Sequence, residues 1–313
     1  MNSILKNEIN SYIDYKRKNN YKYVSEEKLL ISFDKFLLIK NIKEKILDKN
    51  ILLEFLNKTK CKDRTKARNA SVLRQFSIYL NNIYDNKSYV LPIGYFNSKY
   101  NFKAHIFTKE ERNKIFNSIN NGYLKRNLKK QKQVYIITLL LFKTGMRIGE
   151  VLTIKRNNID FNKSSILIEN TKNGFDRLIV VNDKMINILK EYDEEYNNDY
   201  NYFFENNYKS LYSVGCFGEI FRKILFEAKI MHTENGPRVH DIRHTFCVNS
   251  LKQALDRGED INSFLPILSK YVGHRNIEST LKYLQLTSEL FTDIRNVSEN
   301  IIKLERDIAY EEL

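Results

Sequence analysis

Cysteine is scarce in this chain. Cys61, Cys216 and Cys247 are odd in number, far apart and without a CxxC pair, so neither a disulfide framework nor a cysteine zinc site is signalled, and a reducing cytoplasm is the expected compartment. Proline (3) and glycine (10) are also few, which leaves little to interrupt helices. No apolar run is long enough to cross a bilayer. The start Met1-Asn-Ser-Ile-Leu-Lys-Asn lacks the apolar core of a signal peptide, so neither secretion nor membrane insertion is expected. A GxxxxGK[ST] loop, a dinucleotide-binding glycine fingerprint and an acidic metal cluster are absent as well, so no metal, ATP or other cofactor is expected.

What the chain has in excess is positive charge. Its 313 residues carry 52 Lys+Arg against 38 Asp+Glu, a net +14 that favours a polyanionic partner, nucleic acid ahead of an acidic membrane surface. The excess is uneven: +11 over 1–103, +7 over 104–288 and −4 over 289–313. Two lobes that face phosphates, followed by a tail that avoids them and seeks protein, fit this partition. With 42% hydrophobic and 29% charged residues the chain folds, and its length accommodates two domains.

Helical spacing dominates both. Over 25–40, Leu29, Leu30, Phe33, Phe36 and Leu37 make one apolar face; over 65–83, Leu73, Phe76 and Leu80 make another. Just before and into the second stretch, Lys58, Lys60, Lys62, Arg64, Lys66 and Arg68 recur at every second position. A strand or extended turn would present them on one side as a basic ridge, and with Arg74 they are the candidate phosphate contacts of the first domain. Periodicity fades over 84–107, which places a linker there and a boundary near 100. The second domain opens with a capping box, Thr108 and Glu111. An apolar helix over 131–144 ends at Gly145, a natural left-handed cap. The β-branched runs 165–169 and 177–181 flank a turn and read as a hairpin, with helices resuming from 183. The fold class is therefore mainly α, an N-terminal helical domain over 1–100 followed over 104–288 by a mixed α/β domain with a small antiparallel sheet. The Asn- and Tyr-rich stretch 192–208 reads as a surface excursion.

Several polar residues stand in contexts that suggest chemistry: Arg147 after the Gly145 turn, Lys172 between the hairpin strands, His240 with Arg243, His274 after Gly273, and Tyr283. His240 and His244 lie at i, i+4 but lack the Glu of HExxH and an evident third ligand, which argues against metal. In this order and spacing, Thr144-Gly-Met-Arg-Ile-Gly-Glu150, Lys172, His240-Asp-Ile-Arg-His-Thr245 and Val272-Gly-His274 followed nine residues later by Tyr283 resemble the motifs of the tyrosine recombinase (phage integrase) superfamily. The resemblance covers roughly 105–290. Ile242 and Val272 stand where the family usually has leucine, and the stretch from Arg243 to His274 is longer, with its excess around 255–266.

The chemistry follows from the residue types. A phosphodiester gathers negative charge on its nonbridging oxygens as it is attacked, and Arg147 and Arg243 offer forked donors that stay charged. Tyr283, with an ordinary phenol pKa near 10, is the nucleophile and needs a proton acceptor, assigned to His240. Lys172 is the general acid for the leaving 5′ oxygen, His274 a third donor, and Glu150 the carboxylate that orients Arg147 or His240. His105 and His232 are assigned to structure or surface, His244 to a buried supporting role. The resemblance implies a two-lobed clamp on double-stranded DNA, a homo-tetramer joining two sites, and a 3′-phosphotyrosyl intermediate. Accessory DNA-bending proteins or a partner recombinase are compatible with it. The acidic tail 289–313, with Phe291, Ile294, Val297, Ile301, Ile302 and Leu304 in helical register, is expected to contact a neighbouring protomer. A type IB topoisomerase and a non-catalytic DNA-binding protein are the alternative readings.

Overall fold

Two compact units, 1–101 and 102–313, divide the chain in a computed structural model that describes residues 2–58, 61–84, 87–96, 104–169, 176–196, 202–205, 212–233, 236–274, 280, 281 and 283. In the first unit, α1 (Lys6–Lys18), α2 (Val24–Ile39), α3 (Lys49–Lys58) and α4 (Asp63–Ile83) pack apolar stripes together. Phe33, Leu37, Leu56, Leu73, Phe76 and Leu80 fill that core, with Phe33 and Phe55 meeting edge to face at 4.9 Å. Asp34, buried on α2, ties the chain start down by accepting from the amides of Asn2 (2.8 Å) and Ser3 (3.2 Å) and from Ser3 Oγ (2.6 Å).

The alternating basic ridge is not what forms. Helix α4 begins at Asp63, so 3.6 residues per turn replace the period of two and send neighbouring cations in different directions. Arg64 and Arg68 share an exposed face, Lys62 precedes the helix, and Arg74 is half-buried. Lys66 turns inward instead: its Nζ donates to Asn57 Oδ1 at 2.5 Å and lies 4.6 Å from the Phe96 ring centroid. Lys58 ends α3, and Lys60 lies outside the described residues.

The second unit starts with α5 (Lys109–Asn121), whose capping box is made: Thr108 Oγ1 accepts from the Glu111 amide and Glu111 Oε2 from the Thr108 amide. Helix α6 (Leu128–Thr144) runs through the core and packs against α5, the short α7 (Ile148–Leu152), α8 (Asp183–Tyr196) and α10 (Val239–Asp256). The remaining helices among the described residues are α9 (Val214–Glu227) and α11 (Ile261–Val272). The expected hairpin strands are β2 (Ser165–Ile168) and β3 (Arg177–Val180), paired antiparallel with Ile166 opposite Ile179. A two-residue β1 (Ile159–Asp160) adds a third, too short to be read from alternation. The extra length around 255–266 is spent on the end of α10, a turn, and the start of α11, capped by Asp260 accepting from the amides of Asn262 and Ser263.

The reading of 192–208 as a surface excursion fails for Tyr192 and for 203–205, which are buried, while Glu194 and Glu195 are exposed. Tyr192, Phe203 and Phe204 are buried in the main core, and Gln133 inside α6 donates to Tyr192 Oη (2.7 Å) and to the Glu205 carbonyl (2.8 Å). Aromatic rings that bury large area at both ends of a polar insert override its composition.

Helix α6 ends in a left-handed glycine at Gly145 (φ +62°) and α11 in another at Gly273 (φ +71°). A Cβ on Gly145 would lie 2.3 Å from the Phe246 ring. Gly145→Ala is therefore expected to cost at least about 1–3 kcal/mol, read as a lowered urea midpoint; an unchanged midpoint would show that this turn is not constrained.

Candidate active site

One face of α10 carries the central motif. His240, Arg243, His244 and Cys247 fall at i, i+3, i+4 and i+7, while the intervening Ile242 enters the core. The register of that face is fixed at the helix start: Asp241 Oδ2 accepts from the Arg238 amide at 2.6 Å, and Thr245 Oγ1 donates to the Asp241 carbonyl and accepts from the Phe107 amide.

Arg243 is 2% exposed, and a buried guanidinium needs partners. It donates through Nη1 to the carbonyl of Gly145 (2.9 Å) and through Nη2 to that of Val272 (2.7 Å), the C-terminal ends of α6 and α11, where unpaired carbonyls and the helix dipole favour a cation. It also bonds the Tyr283 oxygen. Burial first, and then the charge of Arg147, lower its pKa below the ordinary guanidinium value.

Arg147 stands at the N-terminus of α7, its side chain 24% exposed. Its Nη2 donates to the Gly273 carbonyl at 2.8 Å and its Nη1 to Glu150 Oε1 at 2.8 Å, while its backbone amide donates to Glu150 Oε2. Glu150 therefore holds Arg147, one of the two residues the sequence offered it. A second arginine, Arg177 at the start of β3, also engages this carboxylate, at 3.1 and 2.7 Å, and donates through Nε to the Tyr271 carbonyl at 2.9 Å. Burial would raise the Glu150 carboxyl, but the bonds and charge of Arg177, with those of Arg147, outweigh it and hold the group below the usual carboxylate range. Arg177 escaped the sequence reading because the first residue of a hairpin strand looks like a solvated edge; its spacing after Lys172 carries no signal by itself.

Tyr283 is 4% exposed and belongs to the same cluster of residues as Cys247, Val248 and Val272. Its ring stacks on His274 (centroids 5.7 Å apart, planes 12° apart) and lies 5.3 Å from the His244 ring, which meets His240 edge to face at 4.8 Å. His274 Nδ1 is bonded to Thr280 Oγ1 at 2.9 Å. Burial, followed by Cys247, raises the phenol pKa, with Arg243 opposing. The three imidazoles move down. Withdrawal from water and then neighbouring cations lower His240, although its ring remains open to solvent, and burial followed by nearby charges pushes His244 and His274 down to about 3 each. All three are neutral at pH 7. The described part of the site therefore holds Arg147, Glu150, Arg177, His240, Arg243, His244, His274 and Tyr283 in one chain; Lys172 lies outside the described residues, as does the tail 289–313. Among the described residues no cluster of His, Cys, Asp and Glu could hold a metal ion, and no helix is long and apolar enough to cross a membrane.

The profile of the phage integrase family matches residues 105–289, more than half of the sequence. The chain belongs to this family. Among curated proteins, this integrase-family chain is 28% identical over 167 residues to a putative integrase/recombinase of Sinorhizobium fredii, covering 51% of this chain and 53% of that one. It is 30% identical over 168 residues to tyrosine recombinase XerA of Saccharolobus solfataricus, covering 54% and 50%. The chain thus spans about half the length of these relatives. Its fold is similar to that of the XerH site-specific recombinase in a crystal structure bound to palindromic difH substrate, with a TM-score of 0.61 at 20% identity over 87% of this chain and 78% of that one.

The depressed imidazoles have a measurable consequence. His244 and His274 ordinarily titrate near 6.5 and are held near 3 in the folded unit. The unfolded chain thus binds more protons between these values, so their stabilising contribution is complete above about 6.5 and is lost as pH falls. Lowering pH from 7.5 to 5 should depress the melting temperature, and His274→Gln should make that depression smaller; an equal depression in the variant would refute a shifted His274.

Proposed function

We propose that this chain is a site-specific DNA recombinase of the integrase or transposase type, cleaving and rejoining duplex DNA through a phosphotyrosyl bond to the 3′ end. The observation that supports this most is the contact between the Tyr283 phenol and the buried Arg243 guanidinium, stacked against His274. In the cleavage step the Tyr283 oxygen forms a bond to phosphorus as the bond to O5′ breaks. The phenol proton goes to His240, neutral and open to solvent, and O5′ takes a proton from Lys172. Arg147 and Arg243, with His274, meet the charge on the nonbridging oxygens; by analogy with an oxyanion donor, losing either arginine raises the barrier by about 3–4 kcal/mol, or ~10²–10³ in rate. Glu150 keeps Arg147 in place. The phosphotyrosine conserves the bond, so a 5′ hydroxyl reverses the step without ATP or metal.

In this reading domains 1–100 and 104–288 both grip double-stranded DNA in the cytoplasm. Four protomers pair two sites, with the tail 289–313 contacting a neighbour and accessory DNA-bending proteins or a partner recombinase as further components. The test is covalent capture: the protein is incubated with a genomic DNA library and denatured, and DNA still attached is sequenced. Wild type should retain DNA at a defined sequence and Tyr283→Phe none. No adduct with wild type would refute the reading, and adducts without joining of two marked duplexes would leave topoisomerase chemistry in its place.

DNA contact by the first unit has its own signature. Arg64→Ala and Arg68→Ala should each weaken binding and reduce the slope of log affinity against log salt by about one. Lys66→Ala, whose ammonium is engaged by Phe96 and Asn57, should lower the melting temperature while leaving that slope unchanged. A slope change equal to those of the arginines would place Lys66 on the DNA.

A further inference from the structure

Glu150 is bonded on both oxygens from two sides: Oε1 accepts from Arg147 Nη1 and Arg177 Nη1, Oε2 from the Arg147 amide and Arg177 Nη2. The carboxylate that fixes Arg147 therefore brings a negative charge to within 3 Å of the guanidinium meant to attract an anion. Left alone, that charge would cancel much of the pull of Arg147, because Coulomb energy at such distances is large away from bulk water. Arg177 supplies the missing positive charge from the opposite side. Its side chain is 11% exposed and all three of its nitrogens have partners. It sits so close under Gly273 that a Cβ there would approach Nη1 to 2.9 Å.

Resting on the reading of this site as a phosphoryl-transfer centre, we propose that Arg177 is a positioning and charge-compensating residue. It holds Glu150 so that Arg147 is oriented, and it cancels the charge of Glu150 so that the site keeps the net attraction of two cations for the scissile phosphate. Arg177 does not touch the reacting atoms. It acts through Glu150 on Arg147, and through the Tyr271 carbonyl on the helix end that precedes His274.

The experiment uses the full chain and a nicked duplex carrying the sequence recovered by covalent capture, made with either a normal scissile phosphate or an uncharged methylphosphonate there. Single-turnover adduct formation is measured for wild type, Arg177→Gln, Arg177→Lys and the pair Glu150→Gln/Arg177→Gln. Arg177→Gln should slow the charged substrate by about tenfold or more and the uncharged one by less than about threefold, because only the former needs the compensating charge. Removing the carboxylate as well should recover part of the loss, a coupling between the two positions. Arg177→Lys, which keeps the charge but not the fork, should stay within about threefold of wild type on the charged substrate. Equal slowing on both substrates, no slowing, or no recovery in the double variant overturns the proposal. If Arg177→Gln melts out, the Lys variant decides, and a loss of about tenfold or more there overturns it too. A wild-type chain that forms no adduct would instead overturn the reading of the site itself.

Discussion

Three consecutive carbonyls at the end of one helix organise this site. At the C-terminus of α11, Tyr271 accepts from Arg177, Val272 from Arg243 and Gly273 from Arg147. The last carbonyls of a helix have no partner within it and carry the negative end of its dipole, so three cations there satisfy groups that burial would otherwise penalise. The left-handed turn at Gly273 is what lets the third carbonyl face the arginines while His274 follows directly into the site. Gly145 does the same for α6 by offering its carbonyl to Arg243. Guanidiniums from α7, β3 and α10 are thereby fixed against a helix end that their own elements do not share.

With three arginines and one carboxylate, the site holds an excess of positive charge under partial burial. Burial first, and this field second, depress each histidine, so each presents a neutral ring. Neutral imidazoles are the economical answer to crowding, since a fourth cation would repel the first three. The same field explains why one carboxylate is tolerated between two arginines, and why its protonated form is disfavoured despite burial.

How much of this was legible in the sequence depends on what each residue answers to. The turn at Gly145, the capping box at Thr108 and the spacing of His240 and Arg243 are local chemistry, and local chemistry survives folding. Arg177 is not local: its role comes from Tyr271, 94 residues away, and from Glu150, 27 away, and nothing in its own neighbourhood signals either. The basic residues from 58 to 68 alternate in a pattern that suits an extended approach to a helix expected over 65–83, but the helix begins at Asp63, and that start makes Arg64 and Lys66 point apart. Tyr192, Phe203 and Phe204 misled through their polar neighbours, since a few large rings decide burial where many asparagines only colour the composition.

The phenol of Tyr283 is buried beside a cation. The Tyr283 oxygen takes a hydrogen bond from Arg243, a donor that the proposed chemistry assigns to a phosphate oxygen, and the hydroxyl is also paired with the Cys247 thiol. Under that proposal, phenol and phosphate would share one guanidinium. Both bonds are charge-assisted through the guanidinium, and a phosphate at Arg147 and Arg243 would add its own negative charge, which makes it the stronger acceptor. Burial first, and then the nearby arginines, lower His240, and the charge of a phosphate would offset only the second of these.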